Sequence, residues 1–246
     1  RSEASRVRDT LAVIPARGGS KRVTRKNLRT VAGKPLVAHA IEQAEAATRV
    51  DEAVVSTDDT EIREVARAHG GSTPFERPER LATDEAPSGD VVLHTLDWFA
   101  DRGIEFDVVA MVQTTTPLRT AADIDGALRQ LANSDADSVV SISEFQAPPF
   151  WAVTRDDDYR LRSYFDDEHL WPSDDTDIPR SQDLPTLFHP NGAVFAATTH
   201  AFRREGEFYT RDTVGFEMPP ERGIDVDEPS DLEMVRALAS RRSDHA

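Results

Sequence analysis

Two short segments near opposite ends of the chain hold side chains suited to binding a polyphosphate. One is Ala16-Arg17-Gly18-Gly19-Ser20-Lys21. Its glycines can adopt positive φ and let the backbone approach a ligand, and successive N–H groups there form an anion-binding concavity. Arg17 and Lys21 add charge suited to a triphosphate. The segment is not a P-loop or a dinucleotide fingerprint, because neither spacing occurs in it. Alone, it also fits a plain glycine turn with surface charges; Gly70-Gly71-Ser72, without flanking cations, is expected to be such a turn. The other segment is Asp225-Val226-Asp227. On a strand, residues i and i+2 share a face, so the two carboxylates would repel unless a cation lay between them. Magnesium takes one or two carboxylates together with phosphate oxygens and waters. A strand-end turn before Glu228-Pro229 is the plain alternative. Together the segments suggest a cationic loop gripping a triphosphate and a carboxylate pair holding Mg2+ on it, which helps pyrophosphate leave. Such chemistry needs no covalent nucleophile and works by positioning and charge.

Composition narrows the field in the same direction. The chain has no cysteine, which excludes disulfides, thiolate catalysis and zinc–thiolate sites, and no pair among its seven histidines has the HExxH spacing of a zinc helix. A bound metal should therefore be held by carboxylates. Acidic residues number 45 against 29 basic ones, for a net charge of −16, so nucleic acid and anionic membranes are poor partners. The lysines are Lys21, Lys26 and Lys34, clustered with Arg17, Arg22, Arg25 and Arg29. A basic cluster on an acidic protein suggests a local anion site. An acid-rich, lysine-poor surface suits molar salt, where the Debye length is only ~3 Å; an ordinary acidic cytosolic protein is the alternative. No apolar run is long enough to span a membrane, and RSEASRVRDT lacks a signal peptide's apolar stretch, so a frayed leader and a cytoplasmic location are expected.

These segments need a scaffold. Residues 10–15 (TLAVIP) read as a buried parallel strand, followed by the glycine loop and a helix opened by Pro35. Strands are expected at 52–56, 106–113 and 137–142, alternating with helices that begin after the TDDT turn at 57–60, at Ser88 and at Ala121. This alternation predicts an α/β fold, a Rossmann-like mostly parallel sheet with helices on both faces, whose ligand sits at the carboxyl ends of the strands. Residues 145–187 are rich in Pro, Asp and aromatics and read as an inserted arm or lid, with a hairpin around Asp156-Asp157-Asp158, within a single nucleotidyltransferase domain spanning 1–246. A strand at 191–197, another at 213–218, the GIDVDEP segment and a helix over 230–240 close the chain.

The motifs IPARGGSKRVTRKN, VVSTDDTEI, RPERLATDEAPS, VQTTTPLR, RSQDLP, HPNGAVF and GIDVDE occur in that order between about residues 10 and 240. In this ordered set the chain resembles the acylneuraminate cytidylyltransferases, or CMP-N-acetylneuraminic acid synthetases. The resemblance implies a nucleotide-diphospho-sugar transferase fold and transfer of CMP from CTP to the anomeric hydroxyl of a nonulosonic acid. It implies phosphate-binding roles for Arg17, Ser20 and Lys21, and cytidine contacts from Asn27, Arg77 and Ser88. Gln113, Phe208 and Tyr209 would contact the sugar, and Asp225 and Asp227 would bind the metal. It also implies a homodimer, or a homotetramer, joined through the arm, with Arg180 reaching the neighbouring site. For several of these residues the bland alternatives stay open: a strand cap for Gln113, core packing for Phe208 and Tyr209, and a surface ion pair for Arg77. The sequence departs from the family's pattern at Lys21-Arg22-Val23-Thr24, at Gln113-Thr114-Thr115-Thr116, at His189 and at Phe195. The last two sit near the sugar, so sialic, legionaminic and pseudaminic acids all remain candidate acceptors. A related transferase using another nucleotide or acceptor, and a catalytically silent CTP sensor, are the competing functions.

Overall fold

A computed structural model describes residues 9–165 and 180–243. Residues 1–8 of the expected leader and Trp171 of the expected insertion lie outside them. The chain runs through β1 (Thr10–Pro15), β2 (Thr30–Val31), β3 (Lys34–Pro35), α1 (Leu36–Glu45), β4 (Glu52–Ser56), α2 (Thr60–Ala68), α3 (Ser88–Ala100), β5 (Val108–Val112), α4 (Ala121–Ala132) and β6 (Ser138–Glu144). It continues through β7 (Val153–Arg155), β8 (Leu161–Ser163), β9 (Phe188–Thr198), α5 (Thr199–Glu205), β10 (Thr213–Glu217) and α6 (Pro229–Ser243).

Six strands form one sheet in the order β10-β6-β9-β5-β1-β4. β1 pairs in parallel with β4 and β5, and β6 with β10, while β9 runs antiparallel to β5. The period-2 geometry of a strand sorts the side chains of the central strands onto two faces. Ala12, Ile14, Ala53, Val55, Ala110 and Val112 pack with α1, α2 and α4, through Ile41, Ile62 and Leu131 among others. Leu11, Val13, Val54, Val109 and Met111 pack with α3 and α5, through Val92, Leu96, Phe99 and Phe202. Because both faces are covered, these strands read as continuous apolar runs rather than alternating ones. The local signals behave as expected: Asp59 caps α2 by accepting from the Ile62 N–H at 2.9 Å, and Gly70 follows it at φ 82°. Helix α5 and the β2–β3 ribbon were not expected from the sequence. Pro35 closes β3 and serves as the N-cap of α1.

β1 lies between β4 and β5, so the chain leaves it on one side and returns on the other. At such a reversal the loops at the carboxyl ends of the strands part and leave a crevice. A third, smaller core sits beside it. Val23 from the loop after β1, Val31 of β2, Val226, and Leu232 and Val235 of α6 are buried together. The Arg236 side chain also donates to the Thr30 carbonyl at 2.8 Å. This core fixes the cationic loop and the Asp225–Asp227 segment to one another, although they lie at opposite ends of the chain.

The chain forms two compact units, Arg1–Ile142 with Asn191–Ala246, and Ser143–Pro190. In the second, β7 and β8 make an antiparallel hairpin pairing Val153 with Ser163. Its turn is held by Asp156, whose Oδ1 accepts from the Asp158 and Arg160 amides at 3.1 and 2.9 Å. Phe145, Tyr159, Leu161, Tyr164 and Phe165 of this unit are exposed.

Candidate functional site

The crevice is a cleft of about 650 Å³ within the first unit. It gathers Arg17, Ser20, Lys21, Asn27, Arg77, Ser88, Gln113, Asp225 and Asp227, which come from six separate parts of the chain. Arg22, Lys26, Asp84, Thr114 and Thr115 line it as well.

The loop after β1 carries the cations, but its backbone is arranged differently from the sequence expectation. Gly18 and Gly19 are not at positive φ. Gly18 is needed for close approach instead, since a Cβ there would lie 2.6 Å from Asp59 Oδ2. Three of its amides are engaged within the protein. The Ala16 N–H donates to the Ser56 carbonyl, that of Gly18 to Asp58 Oδ1 and that of Ser20 to the Gly18 carbonyl, at 2.9, 3.1 and 3.1 Å. The loop is thus strapped to the end of β4 and the TDDT turn. Arg17 Nη2 lies 2.6 Å from Asp84 Oδ1, and Lys21 pairs with the other oxygen of the same carboxylate. The Asp84 carboxyl is accordingly held below its usual range by Lys21 and Arg17, while the Lys21 ammonium is raised by Asp84. Arg25, at φ 56°, ties the far side of the loop to Asp59 at 2.8 Å and to Glu61. Val23 is buried in the same core as Val226.

Asp225 and Asp227 are in an extended segment without strand pairing, rather than on the strand assumed in the sequence reading. The i, i+2 relation survives for a local reason. Val226 between them is fully buried, and its N–H donates to the Thr115 carbonyl at 2.8 Å. Both carboxylates therefore line the cleft. The Asp227 and Glu228 amides donate to Asp231 Oδ2 at 3.0 and 2.7 Å, which fixes the turn into α6. Burial, and then the like charge of Asp227, raise the Asp225 carboxyl, against a hydrogen bond from Thr115. Asp225 Oδ1 is buried and finds no hydrogen-bond partner among the described residues. A divalent cation would satisfy that oxygen, so the carboxylate pair fits a metal that also draws ligands from a phosphate and water. The described residues contain no cluster of three or more His, Asp or Glu side chains able to hold one without such help. Lys26 supplies the opposing charge to the pair. Its Nζ lies 3.0 Å from Asp227 Oδ1 and donates to the Val226 carbonyl at 2.8 Å, with Arg22 3.8 Å from the other Asp227 oxygen.

The loop after β5 is built around Arg119. This guanidinium is almost wholly buried and donates to the Gln113 and Ala193 carbonyls at 3.0 and 2.6 Å. It also reaches Thr116 Oγ1 at 2.9 Å and Gln43 Oε1 at 2.7 Å. Burial lowers its pKa to about 9, so it remains charged near neutrality. The Gln113 backbone is thereby fixed and its amide faces the cleft; Gly192, at φ 74°, leaves room beside it. Asn27 links the two loops. Its Nδ2 donates to the Arg17 carbonyl at 2.8 Å and its Oδ1 accepts from Thr114 Oγ1 at 2.6 Å, leaving one N–H free to donate. Arg77 is buried rather than part of a surface ion pair. It donates to Ser56 Oγ and the Ser56 carbonyl at 3.2 and 2.5 Å, and burial lowers its pKa to about 10. No carboxylate pairs with it among the described residues.

Six expected residues do not line the cleft, Gly18 and Gly19 of the loop among them. Ala16 is fully buried beneath the loop. Phe208 lies in the core against Phe202 and Phe195, with ring centroids 4.5 and 5.9 Å away. Tyr209 is half-exposed, 6.3 Å from Phe195. Arg180 is an exposed residue of the second unit. Lys34, one of the clustered lysines, pairs with Glu42 at 2.5 Å, away from the cleft. Sequence reasoning placed Lys26 only in the basic cluster and missed Asp84 and Arg119. Both of these occur in the ordered motifs, but nothing local distinguishes them from surface charges.

Residues 11–235 match the family model described as cytidylyltransferase. The chain is 32% identical over 228 residues to the pseudaminic acid cytidylyltransferase of Campylobacter jejuni subsp. jejuni serotype O:2, covering 93% of this chain and 95% of that protein. It is 34% identical over 225 residues to the N-acylneuraminate cytidylyltransferase of Streptococcus agalactiae serotype V, covering 90% of this chain and 51% of that longer protein. Among solved structures, a CMP:2-keto-3-deoxy-manno-octonic acid synthetase complexed with CTP is similar with a TM-score of 0.67 and 20% identity, over 95% of this chain and 99% of that one. The expected fold type agrees with that similarity.

Proposed function

We propose that this chain, which belongs to the cytidylyltransferase family, transfers CMP from CTP to the anomeric hydroxyl of a nonulosonic acid with release of pyrophosphate. The observation that carries this reading is the placement of Arg17 and Lys21 in one cleft with Asp225 and Asp227. A cationic wall and an acidic wall facing a common space suit a triphosphate bridged to carboxylates by a metal.

In this reading Arg17, Ser20 and Lys21 bind the triphosphate, with Ala16, Gly18 and Gly19 shaping the loop. Asn27, Arg77 and Ser88 hold the cytidine, Arg77 as a buried cation without a carboxylate partner among the described residues. Gln113 orients the acceptor. Tyr209 supplies an aromatic contact to the sugar, with Phe208 supporting Phe195 from the core. The acceptor's anomeric oxygen bonds to the α-phosphorus, the bond from that phosphorus to the α–β bridging oxygen breaks, and pyrophosphate departs. Asp225 and Asp227 would hold Mg2+, which supplies charge neutralisation on the phosphate oxygens when bound. The second unit, including Arg180, serves as a dimerisation arm. The acidic surface suits a salt-rich interior.

A pyrophosphate-release assay with CTP and magnesium in high salt, across sialic, legionaminic and pseudaminic acids with ATP, GTP and UTP controls, tests the reaction. CTP-dependent release with one acceptor is expected. CTP binding without release for any acceptor would leave a sensor. Asp227→Ala with undiminished release at ordinary magnesium would remove the metal role.

A further inference from the structure

We propose that Asp84 is a resident counter-ion that occupies Arg17 and Lys21 until the triphosphate displaces it, and so sets nucleotide affinity and pyrophosphate release. The inference rests on Arg17 and Lys21 being the partners of the triphosphate. The two cations converge on one carboxylate, one oxygen each, and all three residues line the cleft. A polyanion cannot engage both cations while that carboxylate stays between them, because like charges at contact repel. The pair is open to solvent: the side chains of Arg17, Lys21 and Asp84 are 32%, 81% and 31% exposed. Exposed pairs are individually weak, so the exchange is fast and does not close the site.

The segment carrying Asp84 is suited to moving aside. It joins the short turn Glu79–Leu81 to α3, and its ends are pinned by the buried Leu81 and Val91. Between them, residues 83–86 make no backbone–backbone hydrogen bond among the described residues. Thr83 and Ala86 line the cleft with Asp84, so displacement of this strip also changes the wall that continues to Ser88. When pyrophosphate leaves, Asp84 is the nearest anion able to reclaim the cations, which favours release over rebinding.

Calorimetry with inorganic pyrophosphate and with CTP, without acceptor, on the full chain and on Asp84→Asn and Glu85→Gln, tests this. Glu85 is exposed and acts on Lys21 only through its field. Asp84→Asn is expected to bind both ligands about three- to tenfold more tightly, the scale of removing one competitor from an exposed pair. Pyrophosphate product inhibition should strengthen by the same factor, while Glu85→Gln stays within about twofold of the parent. Equal or weaker pyrophosphate binding by Asp84→Asn overturns the proposal, as does an equal gain in Glu85→Gln, which would mean a general field and no displacement. Failure of CTP turnover in the parent protein would instead overturn the proposed reaction, while the pyrophosphate comparison would still decide the role of Asp84.

Discussion

The loop after β1 and the loop after β5 face one cleft, and their charged side chains are held by opposite means. The first presents Arg17, Lys21, Arg22 and Arg25, and its side chains are held by ion pairs at the surface, to Asp84, Asp227, Glu228, Asp59 and Glu61. The second is buried around one guanidinium that bonds mainly to carbonyl and amide oxygens. Ion pairs in water are weak and exchangeable, whereas buried hydrogen bonds cannot be given up without leaving polar groups unpaired. The comparison teaches where each kind of rigidity belongs. Where a surface must accept a highly charged ligand, its cations are held by counter-ions the ligand can replace. A surface that must orient an acceptor is fixed beforehand. The Asp225–Asp227 segment joins the fixed side, because Val226 is buried and bonded to Thr115.

Substitutions on the two sides should separate stability from ligand affinity. The largest effect is expected for Arg119→Ala, which strands the Ala193 and Gln113 carbonyls. It should cost about 3 kcal/mol or more in urea denaturation; a loss under about 1 kcal/mol would break the contrast. Val226→Ala removes the anchor between the aspartates and should cost about 1–3 kcal/mol, with a fall in kcat as the carboxylates lose their common orientation. Lys21→Ala, on the exchangeable side, should raise the KM for CTP about tenfold, with the folding midpoint unchanged. That effect should shrink as salt is raised. The smallest is Asp225→Asn. Burial raises the native carboxyl above its unfolded value, so the native state binds the proton more tightly and loses stability as pH rises through that window. The amide should therefore raise Tm of the metal-free protein at neutral pH, with the gain fading as pH falls through the raised native value and gone below the unfolded carboxyl's pKa of about 3.9. A lower Tm at neutral pH would show that Asp225 is stabilised by its surroundings.

Much of the scaffold was legible because its signals are local. TLAVIP and EAVVS are mainly apolar, and they form parallel strands, β1 inside the sheet and β4 at its edge, whose apolar residues are covered on both faces. The TDDT turn, Ser88 and Ala121 begin helices where expected. The meeting of Arg17 and Lys21 with Asp225 and Asp227 was foreseen from their chemistry, but that of Asn27, Arg77, Ser88 and Gln113 with them only through the ordered motifs, since no spacing rule brings six segments together. The roles of the glycines were misread: Gly18 clears Asp59, a neighbour 41 positions later, and nothing within its own loop reveals that.

The sequence by itself determined the strand–helix alternation, the acidic surface and the presence of one cationic and one acidic segment, because residue type and short-range periodicity act through the adjacent backbone. Only the tertiary structure decided that Lys26 would neutralise Asp227, 201 positions away, that Asp84 would sit on Arg17 and Lys21, and that Arg119 would be buried. A charged side chain takes its meaning from the groups within a few ångströms of it, and folding selects those neighbours from the whole chain.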